Sequence, residues 1–578
     1  MFFKHKSGIM VFCALSVLIS WPGAAKEKEK YDITKMPKAL YLTDPDSKDA
    51  KLEFPAQDCP DLKPGTGGAY GYLEMITQAG NRRTGSSEMR CASAAVQKAF
   101  EKMGYDVKVI DYRFPYYYFS DQTFSLKEIK SGKEHPAHPL MYSPGTGDQP
   151  GQIVSGKVVR PEDMEKGDLV YLSPKSLFAV KNRSLEVLKW KEKGAAGLVV
   201  DPKMFPYNSM SLPFAKSIHS ASWHYGALPG LVVQDADKLV GKEVALKTLS
   251  KIYAGRGYNV AAITPGDFEN YILVSGHLDS WYMGALDDGT GVAAALRMAE
   301  LMKDYKLKKT GIVFLAFDGE EIGLFGSQVF CQWFGTDKVK AMLDMDMVSI
   351  KNNYLHKSPE KAKVMPKVFS TTPELRDLAK EVYSPLRSAK LFLDVGLWSK
   401  LVGGLPTDYE WFYAAGVPGI FIYTPDKYYH TPLDNMTWMD AADLEAVAEA
   451  NVELIKRLAD MEIKRPVDPL VLDFEFHRQD DGAVVFDLGL SKGKEKRLKA
   501  KPVVVCYYEH GFEKRINLKQ GQGGGYRGVY YPLYRGEYQF IASAAVGNES
   551  RKVVKSLKIT DPVKEEPKTK DIKKKNRD

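Results

Sequence analysis

The 578-residue sequence has little cysteine, no basic stripe and no long apolar run beyond its first 25 residues. The five cysteines match no zinc-finger spacing, so thiolate ligands do not carry the chemistry. Part of the net charge of +8 lies in the lysine-rich end of the chain, and basic residues are not interleaved with aromatics elsewhere. We therefore expect no nucleic-acid partner and no stable membrane insertion of the mature chain.

The first 25 residues have the three parts of a secretory signal peptide. A basic start is followed by the apolar run GIMVFCALSVLIS and by small residues at Gly23–Ala25. The alternative is an uncleaved membrane anchor. With the signal removed, the protein is expected to be exported to the periplasm or the medium. In that oxidising setting Cys59 and Cys91 either form a disulfide or remain buried free thiols.

Short apolar segments alternate with helical periods over residues 26–134 and 255–462. The segments YILVSG, GIVFLAF, AMLDMDMVS and GIFIYT are apolar on both faces, as strands covered by helices must be. Helical periods occur between them in GTGVAAALRMAELMKDY, EEIGLFGSQVFCQWF and PELRDLAKEVYSPL. Ser86 and Ser87 can cap a further helix from about Glu88 to Met103. The alternation predicts an α/β domain with a mostly parallel sheet and helices on both faces.

Two other stretches depart from this alternation. Residues 135–254 contain short strands and turns, with one helix expected around SLEVLKWKEKGAAG, and we interpret them as a β-rich, non-catalytic insertion. Residues 466–560 show short apolar strands with turns at regular intervals, which predicts a β-sandwich, and residues 561–578 form a tail expected to be disordered. The histidines of the insertion are expected in loops, without a metal role: His135, His138, His219 and His224.

Six His, Asp and Glu side chains follow the predicted strands. His277 and Asp279 follow YILVSG, Glu320 and Glu321 follow GIVFLAFDG, Asp346 ends AMLDMD, and His430 follows GIFIYTPDKYY. Because the carboxyl ends of parallel strands meet at one edge of a sheet, where ligands bind, these side chains are predicted to converge. Independent polar turns would explain any one of them but poorly explain all six.

Imidazole and carboxylate ligands without thiolates suit zinc, and there are enough of them for two ions. Asp287, in the turn of ALDDGTG, is the natural bridge between the ions. Two such ions can share a hydroxide nucleophile, with Glu320 as the general base that passes a proton to the leaving amine. Asp279 is expected to fix the tautomer of the His277 imidazole. Asp288 is expected to be structural, and Asp318 to be a turn residue.

The motifs, taken in order, closely resemble the co-catalytic di-zinc aminopeptidases, a family that includes aminopeptidase S, aminopeptidase Y and glutamate carboxypeptidase II. The resemblance rests on GHLDS, DDGTG, DGEEIGLFGS, MLDMDMVS and YYHTPLD, with NRRTGS and TDYEWFYAAGVPGI in support. It implies a zinc-dependent aminopeptidase that acts on peptides. It pairs His277 with Asp346 on one zinc ion and Glu321 with His430 on the other, with Asp287 as bridge. It also favours Asp346 over Asp344 and implies that Tyr429 helps to hold the oxyanion.

The insertion resembles a protease-associated domain, which several members of this family carry. A glutamate carboxypeptidase remains the nearest alternative, because the ten-residue gap from His277 to Asp287 and the DSW within it also occur in that type. It requires arginines around the substrate carboxylates, for which the candidates are Arg256, Arg297 and Arg387. A one-zinc glutaminyl cyclase and a non-catalytic receptor are less consistent with a complete ligand set. Asp408 is expected either beside the ligands or as a helix cap.

Overall fold

The structure of the protein is a computed structural model. It describes residues 59–563 with gaps at 66, 120–123, 142, 147–151, 174–186, 188–189, 192, 205–218, 221–227, 350–366, 387–390, 403–404, 425–427, 464–469, 493–497, 499–501, 509–510, 522–523, 533–535 and 547–548. The predicted signal peptide lies outside the described residues, as does the predicted tail from residue 564 onward. Within the described ranges, no helix is both long enough and apolar enough to cross a bilayer.

The described chain begins with two helices and a long strand: α1 (Gly68–Thr77), α2 (Ser87–Lys102) and β1 (Asp106–Phe119). Ser86 caps α2 by accepting a hydrogen bond from the N–H of Met89 at 3.1 Å. A disulfide joins Cys59 to Cys91 on α2, which decides between the two alternatives that the sequence left open.

The insertion forms a sheet of its own. Its strands are β2 (Ser125–Glu128), β3 (Glu134–His135), β4 (Ala137–Met141), β5 (Val154–Val159), β6 (Leu169–Leu172), β7 (Gly197–Val200), β8 (His219–Ser220), β9 (Gly230–Val233) and β10 (Glu243–Lys247). Over the described residues they lie in the order β3-β2-β10-β5-β6-β7-β9-β4-β8. The sheet begins at Ser125, before the predicted start at 135. The helix expected around SLEVLKWKEKGAAG lies largely outside the described residues.

The prediction that the insertion's histidines lie in loops is wrong for the three that the structure describes. His135 and His138 are buried residues of β3 and β4, and His219 is in β8, because strand pairing continues through these polar positions. His135 Nε2 is 2.8 Å from Glu128 Oε1. His224 lies outside the described residues.

The α/β domain continues with an alternation of strands and helices. Its elements are β11 (Ser250–Ile263), β12 (Asn270–His277), α3 (Thr290–Met302), β13 (Thr310–Phe317), α4 (Phe325–Phe334), β14 (Val339–Asp346), β15 (Lys367–Ser370), α5 (Pro373–Tyr383), β16 (Leu391–Asp394), α6 (Val395–Val402), α7 (Tyr409–Ala414), β17 (Gly419–Tyr423) and α8 (Ala441–Asp460). The helix predicted from Glu320 begins only at Phe325, because residues 320–324 form a turn.

The described strands of this domain form one sheet in the order β1-β11-β13-β12-β14-β17-β15-β16. The central strands β13, β12, β14 and β17 are parallel, while β1, β11 and β15 pair antiparallel with their neighbours toward the sheet's interior. Helices cover both faces, and the sheet side chains divide between two apolar clusters. The predicted α/β class with a mainly parallel centre is thus confirmed.

The last described strands form two facing sheets. They are β18 (Leu470–Arg478), β19 (Val484–Lys492), β20 (Val503–Tyr508), β21 (Gly511–Ile516), β22 (Leu518–Gln520), β23 (Tyr526–Tyr530), β24 (Gly536–Val546) and β25 (Glu549–Ile559). Among the described residues the orders are β18-β19-β23-β22 and β21-β20-β24-β25. One apolar cluster includes side chains of both sheets, with the rings of Phe486 and Phe540 4.7 Å apart, as in a β-sandwich.

Candidate metal centre

The central parallel strands bring the candidate ligands to one edge of the sheet. His277 and Asp346 are the last residues of the neighbouring strands β12 and β14. Glu320 and Glu321 lie in the turn after β13, and His430 lies in the segment after β17. Residues that are far apart in the sequence therefore meet at the carboxyl ends of the strands.

Five of the candidate side chains form two groups, and both groups include Asp287. His277, Asp287 and Asp346 form one group and Asp287, Glu321 and His430 the other, with one ligand atom per residue within 4.8 Å of the others in its group. His277 Nε2 lies 3.2 Å from Asp287 Oδ1 and 3.8 Å from Asp346 Oδ1. His430 Nε2 lies 3.4 Å from Asp287 Oδ2 and 2.6 Å from Glu321 Oε2. The two oxygens of Asp287 therefore face different groups, as a carboxylate that bridges two ions must.

The ligand oxygens are buried and not fully hydrogen-bonded. Asp287 Oδ2, Glu321 Oε1 and Asp346 Oδ1 have no hydrogen-bond partner among the described residues. Burial raises the pKa of Glu321 to about 7 and that of Asp346 to about 6. Burying carboxylates without partners is costly unless a cation compensates them. The donor set of imidazole and carboxylate therefore fits zinc.

The two histidines compete with a cation for the same carboxylates. Burial opposes charge on His430, but Glu321 and Asp287 raise its pKa to about 10. His277 is also buried, and the acids around it raise its pKa well above the usual range. Zinc binds the neutral imidazole, so loading the centre would release protons.

Asp288, the residue after the shared ligand, ties three elements together. Its carboxylate accepts hydrogen bonds from the N–H groups of His277, Gly291 and Met347 at 3.1, 2.8 and 2.9 Å. These groups belong to the end of β12, the start of α3 and the residue after β14. A Cβ atom at Gly291 would lie only 2.1 Å from the carbonyl oxygen of Met345, so the close approach of α3 to β14 requires glycine there. Asp288 is structural, as the sequence indicated.

The structure separates the two acids of MLDMDM. Asp346 faces His277, whereas Asp344 accepts hydrogen bonds from the hydroxyl groups of Ser275, at 2.5 Å, and Thr407. The N–H of Tyr409 also donates to Asp344, at 3.3 Å. Asp344 therefore joins β12, β14 and the start of α7, whereas Asp346 belongs to a group that could hold a metal ion.

Asp279 lies beside the His277 ring through both its backbone and its side chain. His277 Nδ1 lies 3.0 Å from the backbone carbonyl oxygen of Asp279 and 3.7 Å from its carboxylate. The carboxylate accepts hydrogen bonds from Thr84 at 2.8 Å and from the N–H groups of Glu320 and Glu321, both at 3.2 Å. Asp279 thus holds the glutamate turn in addition to the histidine.

Other candidates lie near the two groups. The ring of Tyr429 stacks on that of His430 with centroids 3.6 Å apart. Asp318 accepts a hydrogen bond from the N–H of Tyr258 at 2.8 Å, which fits a structural turn residue. Asp408 precedes α7 without a side-chain capping bond, and its buried Oδ1 has no partner among the described residues. The interpretation of Asp408 as a helix cap is therefore wrong.

Two buried charged residues that received no role from the sequence also contact this region. Arg82 and Asp434 hydrogen-bond to the backbone of the segment between His277 and Asp287. Both belong to motifs quoted for the family resemblance, NRRTGS and YYHTPLD, so their position within these motifs was the available signal.

Comparison with known families agrees with this geometry. The model of peptidase family M28 matches residues 259–455, which include all five ligand candidates. Residues 259–455 are thus similar to peptidase family M28. Carboxypeptidase Q of Rattus norvegicus is 30% identical over 243 residues, covering 40% of this chain and 47% of the relative. The probable glutamate carboxypeptidase VP8 of Zea mays is 27% identical over 192 residues, covering 30% and 25%. This chain thus spans about half or less of these curated relatives.

Solved structures share the fold of a larger part of this chain. A zinc aminopeptidase from Bacillus subtilis has a TM-score of 0.53 at 17% identity, covering 69% of this chain and 96% of that one. A peptidase M28 precursor from Shewanella amazonensis has a TM-score of 0.53 at 19% identity, covering 70% and 95%. At such identities the likeness establishes the fold alone.

Proposed function

We propose that this chain is an exported, zinc-dependent exopeptidase, and specifically an aminopeptidase that removes N-terminal residues from peptides. The observation that carries the proposal is the division of five candidate ligand side chains into two groups around Asp287. This arrangement supports two zinc ions per chain, in a domain that matches a peptidase family.

The residues present define where the ions would be held. His277 and Asp346 would bind one zinc ion, Glu321 and His430 the other, and Asp287 both. Zinc at these positions would polarise a carbonyl group of the substrate and lower the pKa of a water molecule.

We assign Glu320 the role of proton carrier in the reaction. Its backbone is held by the hydrogen bond from its N–H to Asp279, and burial raises the pKa of its carboxyl group well above the usual range. A carboxylate with a raised pKa accepts a proton from the attacking water more readily and can return it to the leaving amine. Tyr429, which is stacked on His430, is assigned to the developing negative charge of the substrate oxygen.

The substitution Glu320→Gln tests this assignment. We expect peptide hydrolysis to fall by roughly 10²–10⁴-fold, the usual contribution of a general base, with two zinc ions still bound. Glu410→Gln is the control, because Glu410 is a buried glutamate that accepts a hydrogen bond from the N–H of Leu405 and belongs to neither group of candidate ligands. Full activity in Glu320→Gln would refute the role of Glu320. So would a loss of activity that is accounted for entirely by a loss of bound zinc.

A carboxypeptidase is the second candidate, because both curated relatives described above carry that name. Two of the arginines that could bind a substrate carboxylate are engaged elsewhere. Arg297 pairs with Glu300 and Glu445 at 2.7 and 2.6 Å, and Arg256 pairs with Asp111. Arg387 lies outside the described residues. These ion pairs favour the aminopeptidase.

A substrate panel separates the two activities. We expect cleavage of aminoacyl substrates with a free α-amine and no cleavage of N-blocked dipeptides with a free carboxylate, in both cases abolished by a chelator. The reverse preference would identify a carboxypeptidase on the same metal centre.

The proposed export is supported by the Cys59–Cys91 disulfide, since disulfides persist in oxidising compartments. Sequencing the N-terminus of protein recovered from the periplasm or medium tests it. A start near residue 26 is expected, whereas an intact first segment in the membrane fraction would indicate an anchor.

A further inference from the structure

The segment that connects two of the ligands is irregular over residues 278–284 and ends in a short, distorted helical turn at Ala285–Gly289. His277 ends β12, and Asp287 lies ten residues later, before α3 begins at Thr290. We call residues 278–286 the ligand loop. Its backbone conformation sets the separation of His277 from Asp287, so whatever fixes this loop also fixes the centre.

Arg82 binds the carbonyl groups of the ligand loop. Its side chain is fully buried, at 0% exposure. Nε donates to the carbonyl of Leu278 at 2.7 Å, Nη1 to that of Met283 at 2.6 Å and Nη2 to that of Gly284 at 2.9 Å. One planar guanidinium therefore joins both ends of the loop, a geometry that a lysine ammonium cannot reproduce.

The neighbours of Arg82 bind the same loop. The backbone carbonyl of Arg82 accepts a hydrogen bond from the N–H of Ser280 at 3.1 Å. Asn81 Oδ1 accepts one from the N–H of Tyr282 at 3.0 Å, and Thr84 donates to the Asp279 carboxylate at 2.8 Å. The segment Asn81–Thr84 thus lies along the ligand loop and supplies donors and acceptors in turn.

Asp434 binds the other end of the loop through its N–H groups. Its buried carboxylate accepts hydrogen bonds from Leu286 N at 2.8 Å and from Asp287 N at 3.0 Å. The second of these bonds acts on the backbone of the shared ligand itself. Asp434 lies four residues after His430, so it also connects the loop to the segment that carries a ligand of the second group.

Arg82 carries a positive charge among several acids, one of which is Asp434. In the described part of the chain, the hydrogen bonds of Arg82 all end on backbone carbonyl groups. Its charge is surrounded by acids, of which Asp434 has the largest favourable effect and Asp279 the next. Although burial lowers the pKa of Arg82 to about 10, the guanidinium remains positive at neutral pH.

We propose that Arg82 and Asp434 are positioning residues that jointly hold the ligand loop in its metal-binding conformation, Arg82 through the loop carbonyl groups and Asp434 through its N–H groups. This inference rests on the proposed two-zinc function. It assigns the NRRTGS segment, which contributes no ligand, a direct part in metal affinity.

Zinc affinity of the full chain tests the proposal with matched variants. Asp434→Ala is compared with Asp440→Ala, because Asp440 also accepts two backbone N–H groups, those of Ala442 and Asp443, but at the start of α8. Arg82→Met is compared with Arg297→Met, which removes a half-buried arginine together with its two ion pairs. Zinc content after dialysis and dissociation constants from chelator competition are measured, together with the unfolding temperature in chelator.

Asp434→Ala and Arg82→Met are expected to weaken zinc binding by roughly 10–100-fold, as the loss of groups that orient metal ligands typically does. Arg82→Lys should restore only part of the affinity. Asp440→Ala and Arg297→Met should lower the unfolding temperature while zinc affinity stays within about threefold of the wild type. If Arg82→Met fails to fold, Asp434→Asn, which keeps the side-chain shape, still provides the test.

Equal zinc affinity in Asp434→Ala, Asp434→Asn and the wild type would overturn the proposal. So would equal losses of affinity in Asp434→Ala and Asp440→Ala, because the effect would then follow general stability. A wild-type chain that binds no zinc would instead refute the proposed function, so the two failures are distinguishable.

Discussion

Replacing Gly291 by alanine sets two physical effects against each other. Gly291 lies in the first turn of α3, where alanine would favour the helix by about 1 kcal/mol over glycine. Propensity alone therefore predicts a more stable protein. The surroundings predict the opposite, because the added methyl group would lie 2.1 Å from the carbonyl oxygen of Met345 and 2.3 Å from Asp288 Oδ2.

The magnitude follows from what must move. Ordinary contact begins at 3.4 Å, so the methyl group is more than an ångström too close to a backbone atom that cannot rotate away. Overpacking typically costs about 1–3 kcal/mol. Disturbing the hydrogen bonds that Asp288 accepts from Gly291 and Met347 adds about 1–3 kcal/mol. Against a gain of about 1 kcal/mol from propensity, we expect a net loss of about 1–5 kcal/mol.

Activity should fall as well, because Met345 directly precedes the proposed ligand Asp346. A displacement of about 1 Å in a catalytic group can lower kcat/KM by roughly 10²-fold. Urea unfolding, zinc content and kcat/KM are measured for Gly291→Ala and for Gly521→Ala, where the new methyl group would meet nothing closer than 3.8 Å. A Gly291→Ala variant as stable and as active as the wild type would refute this account of the packing between α3 and β14.

Three further outcomes are expected. Replacing both Cys59 and Cys91 by serine should lower the free energy of unfolding by about 4 kcal/mol, the value that loop entropy gives for a sequence separation of 32. Denaturant titration measures this change, and an unchanged unfolding midpoint would contradict the expectation. Asp346→Asn should lose zinc, whereas Asp344→Asn should retain zinc but unfold at a lower temperature. Mass spectrometry measures the zinc content, and equal contents in the two variants would contradict the assignment of Asp346 as the ligand. Hydrogen bonds from Lys242, His135 and Ser131 lower the pKa of Glu128 from 4.5 to about 2. The stability that the carboxylate contributes is therefore present above pH 4.5 and is lost as the pH falls toward 2. The protection factors of amides in β2 and β10, which correct for the intrinsic exchange rate at each pH, should therefore fall over that range in the wild type and less so in Glu128→Gln.

Much of the site could be predicted because its ligands have a simple relation to the fold. Strands with apolar residues on both faces mark a parallel sheet, and His277 and Asp346 stand at the ends of such strands. The convergence of the ligands then follows from topology. The sheet in turn follows from hydrophobic patterning, which is the strongest signal in a single sequence.

The turn after β13 and the carboxylate of Asp279 were harder to predict for a common reason. The helical period of EEIGLFGSQVFCQWF runs through Glu320 and Glu321, yet the chain turns there, with Leu324 at φ 60° and Gly323 at φ 131°. Asp279 holds this turn by accepting hydrogen bonds from both glutamate N–H groups. Such tertiary contacts override local periodicity and leave no periodic trace in the sequence.

Arg82 could not be placed from its sequence context. A charged residue in the polar stretch NRRTGS is expected at the surface, because arginine is rarely fully buried unless its charge is paired. Its partners are backbone carbonyl groups about 200 residues later, which no local pattern identifies. The same holds for Asp434, whose partners are backbone N–H groups of the ligand loop.

The long antiparallel ribbon of β1 and β11 has a consequence for how the insertion could be removed. Phe119 and Ser250, between which the insertion departs and returns, are direct partners at the end of this ribbon. Residues 120–249 could therefore be excised and the ends joined by a two-residue hairpin turn without a change of register. The excision would still uncover apolar surface, because Leu172 and Leu198 belong to the same buried cluster as Phe317 and Phe330. The covalent connection alone would thus allow the insertion to be removed, whereas the shared apolar cluster packs the insertion against the α/β domain.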